Sequence, residues 1–354
     1  MSNVVATVDS LRRSDIVRRA SSYWLVSGVV ACALSLFGSV PVPAQNPDLI
    51  LTKAERDSIL KTYNNVFPIW GRKAIEKGFD LPYPVGLNLN VIYLSQNIDI
   101  TNIALSTGDN PTVPVEFIQF SSVEAPVTSV NVRGDLWVLP FLNMYGFVGH
   151  AWVTTDVTLS EPLEFNTVVK QEGPYVGLGA TATVGIKHNW LAIDFNYAWT
   201  QPEKLSQPVE GRILGFRYGR AMKIKNNQRL AFWIGTMNQK LKSGTDGSIG
   251  LDEVIDGGGE AQLRQALPGY LQSQAYQQLT PQQKRTVDAI TQAIGNGNLG
   301  DVTVNYTLDK EVTDPWNMLV GANWDVSKRW TFRVEVGFLQ RIQVLINPVY
   351  RFNW

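Results

Sequence analysis

Seven charged residues stand out by type and spacing: Arg133, Asp135, Asp194, Arg217, Arg333, Glu335 and Arg351. Arg133 and Asp135, like Arg333 and Glu335, are two apart, which in an extended chain puts opposite charges on one face. Charges of opposite sign held within reach of one another pair as a structural network. The other reading of the same residues is a polar solute path lined by arginine. Catalysis would need more. His150 is one of two histidines, and a hydrolase or acyltransferase would set it beside an acid and a serine nucleophile. Asp135 is the acid in range, but no serine is expected on the same face, and His188 falls in a turn. We therefore expect no enzyme.

Other candidates have plainer accounts. Asp246, Asp252, Glu253, Asp256 and Glu260 offer oxygen ligands for Ca²⁺, but their spacing is not that of an EF-hand, and solvated loop acids explain them. Gly177, Gly179 and Gly185 are not followed by a helix, so they are not a nucleotide loop; in a strand they relieve crowding or allow a bend. The stripe Val287, Ile290, Ile294 is the packing face of a helix on its own loop. No cofactor and no metal site is expected.

The elements that must position these residues are strands. From Pro84 onward the apolar residues recur with a period of two. Val85, Leu87, Leu89, Val91 and Tyr93 alternate with Gly86, Asn88 and Asn90. Further segments follow at about 127–139, 144–155, 175–186, 190–200, 212–222, 229–239, 316–324, 330–338 and 341–354. In the 144–155 segment we place Tyr145, Phe147, Ala151 and Val153 on the apolar face and His150 and Trp152 on the other. Connections alternate in length: those near 140–143, 187–189, 223–228 and 325–328 are short, those near 97–126, 156–174, 201–211 and 240–315 are mostly long, and 339–341, short where a long loop is expected, is the exception. Three stretches read as helical, one of them a second short leader helix over Ile69–Lys77 closed by Gly78. Thr52 with Glu55, and Thr280 with Pro281 and Gln283, are capping boxes that open helices from about Lys53 and from 281 to about Ile294. Residues 260–278 are helix-compatible, interrupted by Pro268-Gly269.

The chain has 354 residues, with 31 basic and 31 acidic, so its formal charge is zero and nothing points to nucleic acid. Arg12, Arg13, Arg18 and Arg19 precede an apolar stretch from Tyr23 to about Val42. Val42-Pro43-Ala44 then supplies small residues at cleavage spacing, so residues 1–44 read as a secretory signal peptide cut after Ala44. An uncleaved anchor is the alternative. The only cysteine, Cys32, lies in the apolar stretch; Val29-Val30-Ala31-Cys32 loosely resembles a lipoprotein lipobox, which leaves lipidation as an alternative fate.

The last strand, Arg341–Trp354, alternates Ile342, Val344, Ile346, Pro348, Tyr350, Phe352 and Trp354 with mostly polar residues. It resembles the C-terminal strand of Gram-negative outer-membrane β-barrel proteins. In that family the barrel assembly machinery reads an alternating final strand with a terminal aromatic, usually Phe, so Trp354 is a mild departure. The resemblance implies that Tyr350, Phe352 and Trp354 form the assembly signal. It also implies a location in the cell outer membrane, with outer-membrane lipid as a partner. Aromatics gathered near strand ends, Tyr145, Phe147, Tyr197, Trp199, Trp316, Trp324, Trp330, Phe352 and Trp354, fit two interfacial rims.

The expectation is an all-β membrane protein: a closed antiparallel up-and-down transmembrane β-barrel of about ten strands over 84–354. It carries a short helical leader (45–83), periplasmic appendage or plug, and a long, partly helical external loop (about 240–315). The seven charges and His150 then face the lumen, and 341–354 pairs with 84–94. The expected function is a narrow, porin-like channel for small solutes. The alternative is a surface protein using its external loops for adhesion or partner binding; less favoured is a barrel-embedded lipid-modifying or hydrolytic enzyme.

Overall fold

The computed structural model describes residues 50–107, 112–115, 119–161, 165–186, 189–201, 208–224, 228–241, 245–250, 257–297 and 303–353. Residues 1–44, read above as a signal peptide, with Cys32, and His188, Asp252, Glu253, Asp256 and Trp354 lie outside these, as does the Glu260 side chain. Among the described residues no helix is long and apolar enough to cross a membrane.

Two leader helices come first, α1 (Lys53–Thr62) and α2 (Gly71–Glu76). Ten strands then close into one antiparallel ring: β1 (Val85–Ser95), β5 (Val127–Leu139), β6 (Leu142–Glu161), β7 (Phe165–Ile186), β8 (Asn189–Thr200), β9 (Val209–Lys223), β10 (Arg229–Leu241), β13 (Trp316–Asp325), β14 (Trp330–Phe338) and β15 (Ile342–Phe352). Around the ring they run β6, β5, β1, β15, β14, β13, β10, β9, β8, β7, and β7 pairs back to β6. The last strand pairs with the first, from Val85 opposite Phe352 to Ser95 opposite Ile342. That seam removes both open edges, whose unpaired amides and carbonyls hydrocarbon would not tolerate.

Burial alternates strictly along β1, β8, β9, β14 and β15. The outward side is an exposed apolar band, for example Leu87, Leu89 and Val91, Ile193 and Phe195, Phe332 and Val334. Aromatics border it. At the short-turn end Trp330 packs on Tyr350 at 4.9 Å and Tyr350 on Phe352 at 4.9 Å, between ring centroids. At the other end Tyr197 packs on Trp199 at 4.7 Å. Rings with an apolar body and a polar edge collect at the two interfaces of a bilayer.

The long connections hold structure of their own. The 97–126 stretch, read as a loop, contains β2 (Ile98–Thr107), β3 (Val113–Pro114) and β4 (Gln119–Glu124). The 240–315 insertion contains β11 (Thr245–Gly250), α3 (Gly257–Leu271), α4 (Gln274–Gln278), α5 (Pro281–Asn296) and β12 (Thr303–Val312). Strands β11, β12, β2 and β3 form a separate four-stranded sheet in that order. The two capping boxes form as expected: Glu55 N–H donates to Thr52 Oγ1 at 3.3 Å and Gln283 N–H to Thr280 Oγ1 at 3.3 Å. The α5 helix runs two residues past Ile294, and Gly297 caps it in the left-handed region that favours glycine, at φ 73°. Pro268 does not end α3; the break comes at Ser273, which caps α4 with its hydroxyl.

Candidate functional site: the barrel interior

Arg133, Asp135, Asp194, Arg217, Arg333, Glu335 and Arg351 are all buried. Each lies on the face of its strand opposite the apolar band. They meet at mid-height. Arg217 of β9 grips Glu335 of β14 with two bonds, Nε to Oε2 at 2.8 Å and Nη2 to Oε1 at 3.0 Å. Its Nη1 also donates to Asp194 of β8. Glu335 takes two further bonds, from Arg333 Nη2 at 2.8 Å and Trp233 Nε1 at 2.7 Å. A carboxylate so deep needs this many donors, because burial strips away its water.

The network continues around the wall. Asn196 Nδ2 donates to Asp194 at 3.1 Å and its Oδ1 accepts from the Tyr145 hydroxyl at 2.6 Å. The Arg133 guanidinium lies 3.4 Å from the Tyr145 ring centroid and donates to Asn143 at 3.1 Å. Asn143 in turn donates to Asp135 at 2.7 Å. Asp135 also accepts from Asn88 at 2.7 Å and from Arg351 at 3.2 Å. The linked side chains thus come from β1, β5, β6, β8, β9, β10, β14 and β15. The remaining strands, β7 and β13, supply glycines. A Cβ on Gly179 would overlap the Tyr145 ring, and one on Gly321 the Trp233 ring.

Above this layer Asn347, Asn90 and Asn131 form a chain, with Asn347 Nδ2 to Asn90 Oδ1 at 2.8 Å and Asn90 Nδ2 to Asn131 Oδ1 at 2.6 Å. Asn131 then donates to the Tyr175 hydroxyl at 2.9 Å. Toward the long-loop end the interior turns apolar. Leu94, Val127, Ala151 and Val153 cluster there with Ile98 and Val312, the roots of the separate sheet. The interior is therefore filled by bonded charge at its middle and by apolar packing toward one end.

The short-turn end is crossed by the leader. Ile69 N–H donates to Val138 O of β5 at 2.8 Å. Asp80 pairs with Arg229 at the start of β10 and with Lys328 at 3.2 Å. Strands β5 and β10 stand five apart in a ring of ten, so they face each other across the mouth. Residues 69–80 thus form a bar over an opening whose backbone diameter is about 20 Å. Asn65 and Tyr83 add bonds to Asn353 at 2.8 Å and Arg351 at 3.1 Å.

The structure corrects the reading of one strand. His150 does not face the lumen. It shares the outward face of β6 with Val148 and Trp152, and its Nε2 lies 3.6 Å from Glu172. Tyr145 and Phe147, expected outward, are buried inside. A β-bulge causes the inversion. Leu139 pairs with Leu142 at the turn, but Trp137 pairs with Asn143, so Val138 is an extra residue on β5. One extra residue flips every side chain beyond it. Asp135 consequently meets Tyr145 across the pair, and the His150–Asp135 arrangement does not form. Asp246 of β11 is exposed, and among the described residues no three His, Cys, Asp or Glu side chains gather as metal ligands. Asn143 and Trp233 were not singled out from sequence. The signal that marks Trp233 is its place on the strand face opposite outward Phe232 and Ile234.

A closed ring, an apolar outer band with aromatic borders, a polar filled interior, and a first strand that starts and a last strand that ends on the short-turn side define the architecture. The fold is that of an outer-membrane β-barrel. Solved structures of such barrels are similar to this chain. The β domain of the autotransporter BrkA from Bordetella has 8% identity, covers 76% of this chain and 100% of its own, and gives a TM-score of 0.35. The translocator domain of the autotransporter NalP from Neisseria meningitidis has 11% identity, 79% and 92% coverage, and a TM-score of 0.34. The toluene transporter TbuX from Ralstonia pickettii has 9% identity, 77% and 90% coverage, and a TM-score of 0.28. No protein-family model matches the chain, and no curated protein matches its sequence.

Proposed function

We propose that the barrel is a closed outer-membrane anchor whose working surface is the module at its long-loop end. The observation that carries this is the bonded layer through Arg217, Glu335 and Asp194, which occupies the middle of the interior. A barrel of about eight strands is just wide enough for side chains to fill, and in this slightly wider ring long side chains such as Arg217 and Glu335 reach across to one another. The bar over the short-turn mouth supports the same reading. So does the investment of chain outside the wall, a four-stranded sheet with α5 docked against β2 and β3; Gln283 of α5 donates to Pro114 O of β3 at 2.6 Å. Adhesion or partner binding is the role such a module serves. The reading assigns no catalytic residue.

Planar-bilayer recording of the protein without its signal segment is the test. A tight, silent barrel is the expected result, and discrete conductance from the unaltered protein would sink the anchor reading. One observation favours a second reading, a gated channel for small solutes: the bar is latched at its far end by polar contacts of Asp80 at the rim. Asp80→Ala that conducts where the parent is silent would move the conclusion to that reading.

A further inference from the structure

On the outer surface, β9 and β10 carry two cations side by side. Arg212 lies directly opposite Lys240 in the β9–β10 ladder, and both are exposed on the outward face. Like charges placed directly opposite repel. Among the described residues neither is held in an ion pair. The nearest acid along the strand, Glu210, accepts from the Tyr197 hydroxyl instead, and Asp314 is exposed before β13.

Their height matters. On β9 the apolar band ends at Leu214 and on β10 at Ile234, with Thr236 and Asn238 between Ile234 and Lys240. Arg212 is opposite Tyr197 of the aromatic border, and Trp316 of that border is opposite Asn238. The pair thus stands about 7 Å beyond the last apolar residue of β9, at headgroup level on the long-loop side. Below it, the outward surface of β8, β9, β10 and β13 is hollowed into an apolar groove of about 430 Å³, lined by Leu191, Ile193, Phe216, Tyr218, Ile234 and Met318.

We propose that Arg212 and Lys240 hold the phosphate of an anionic lipid of the outer leaflet, with an acyl chain of that lipid in the groove beneath. A phosphate between the two side chains turns their repulsion into two charge-assisted bonds. Flanking tyrosine and tryptophan rings suit the same boundary. The site rests on the barrel reading, not on whether the lumen conducts.

The test uses the folded full-length barrel in detergent, titrated with diphosphorylated lipid A or its dephosphorylated form, with bound lipid counted by native mass spectrometry. The parent should retain the phosphorylated lipid about a hundred-fold better, about ten-fold for each of the two charge-assisted hydrogen bonds. Arg212→Gln/Lys240→Gln keeps length and removes charge, and it should abolish that preference. Arg220→Ala, an exposed cation near the short-turn end, should leave it intact. Equal retention of both lipids by the parent, or an undiminished preference in the double variant, overturns the site. Heat-shifted gel mobility is read in parallel; its absence in the parent would overturn the barrel and the site with it.

Discussion

Arg217 and Glu335 stand on strands three apart in the ring, yet they are joined by two parallel hydrogen bonds of 2.8 and 3.0 Å. The pair is a chord across the barrel rather than a contact along its wall. Removing one partner leaves a buried charge without its match, at a cost of roughly 3–5 kcal/mol. Glu335→Ala should therefore strongly destabilise the barrel, as read by urea unfolding in liposomes. The double change Arg217→Met/Glu335→Leu should not recover that loss, because it leaves Asp194 and Arg333 buried without their charge partners. A Glu335→Ala barrel as stable as its parent would show that the chord is ornamental.

How far the chain announces this arrangement can be seen strand by strand. Where one face is apolar and the other polar, as around Asp194 or Arg333, alternation is enough to assign the inside. The segment at Tyr145 defeats that rule because both its faces carry large apolar side chains. Its sense depends on the single extra residue at Val138, and a bulge leaves no mark on periodicity. The same residue's carbonyl receives the leader at Ile69, so one local irregularity both turns Tyr145 inward and docks the bar. The chord itself was not legible: Arg217 and Glu335 are 118 positions apart, and only ring order brings them together. The separate sheet was hidden for a related reason, since β2 and β12 pair across most of the sequence.

Gly179 and Gly321 make room for the Tyr145 and Trp233 rings. Alanine at either position should cost about 1–3 kcal/mol, the usual penalty for overfilling a packed interior. Gly134, where an added Cβ meets nothing within 4 Å, is the matched control and should tolerate alanine. Thermal gel-shift midpoints of the three variants compare them directly, and equal midpoints would refute the packing argument.

The outward band should reject charge by depth. Ile193 is half exposed in the middle of the apolar face of β8. Ile193→Arg should destabilise the inserted barrel by about 2–4 kcal/mol, while the same change at the borders costs about 0–1 kcal/mol. Val184→Arg, toward the short-turn end of β7, serves for the border. Equal penalties at both sites would place the bilayer elsewhere on the wall.

The leader helix α1 carries a pH dependence of known sign. The Thr52 hydroxyl, and then its amide, donate to Glu55 and hold its carboxyl below the usual carboxylate range. A depressed value means the carboxylate stabilises the cap above its unfolded pKa, near about 4.3, and that this contribution is lost as pH falls through the folded value. The protection factors of the Glu55 and Arg56 amides, exchange rates corrected for the intrinsic pH dependence, should fall through that window. Glu55→Gln keeps an acceptor without a titration and should give a flat profile; a parent profile equally flat would remove the linkage.

The seam offers the sharpest test of assembly. Val85, Gly86 and Leu87 pair with Phe352, Arg351 and Tyr350, so the final residues close the ring as well as supplying the outward Tyr350 and Phe352. Deleting 350–354 would strip β1 of its partner over those residues and remove Arg351 from Asp135. Open strand edges in hydrocarbon leave unsatisfied amides and carbonyls that cost several kcal/mol each. We expect this truncation to fail to insert, measured as loss of heat-modifiable protein in the outer-membrane fraction. The point change Phe352→Ala separates the two roles: it keeps every backbone bond of the seam and removes only an outward aromatic, one we propose belongs to an assembly signal. Slower insertion with normal final stability would assign Phe352 to recognition, and lowered stability at normal rate would assign it to the rim.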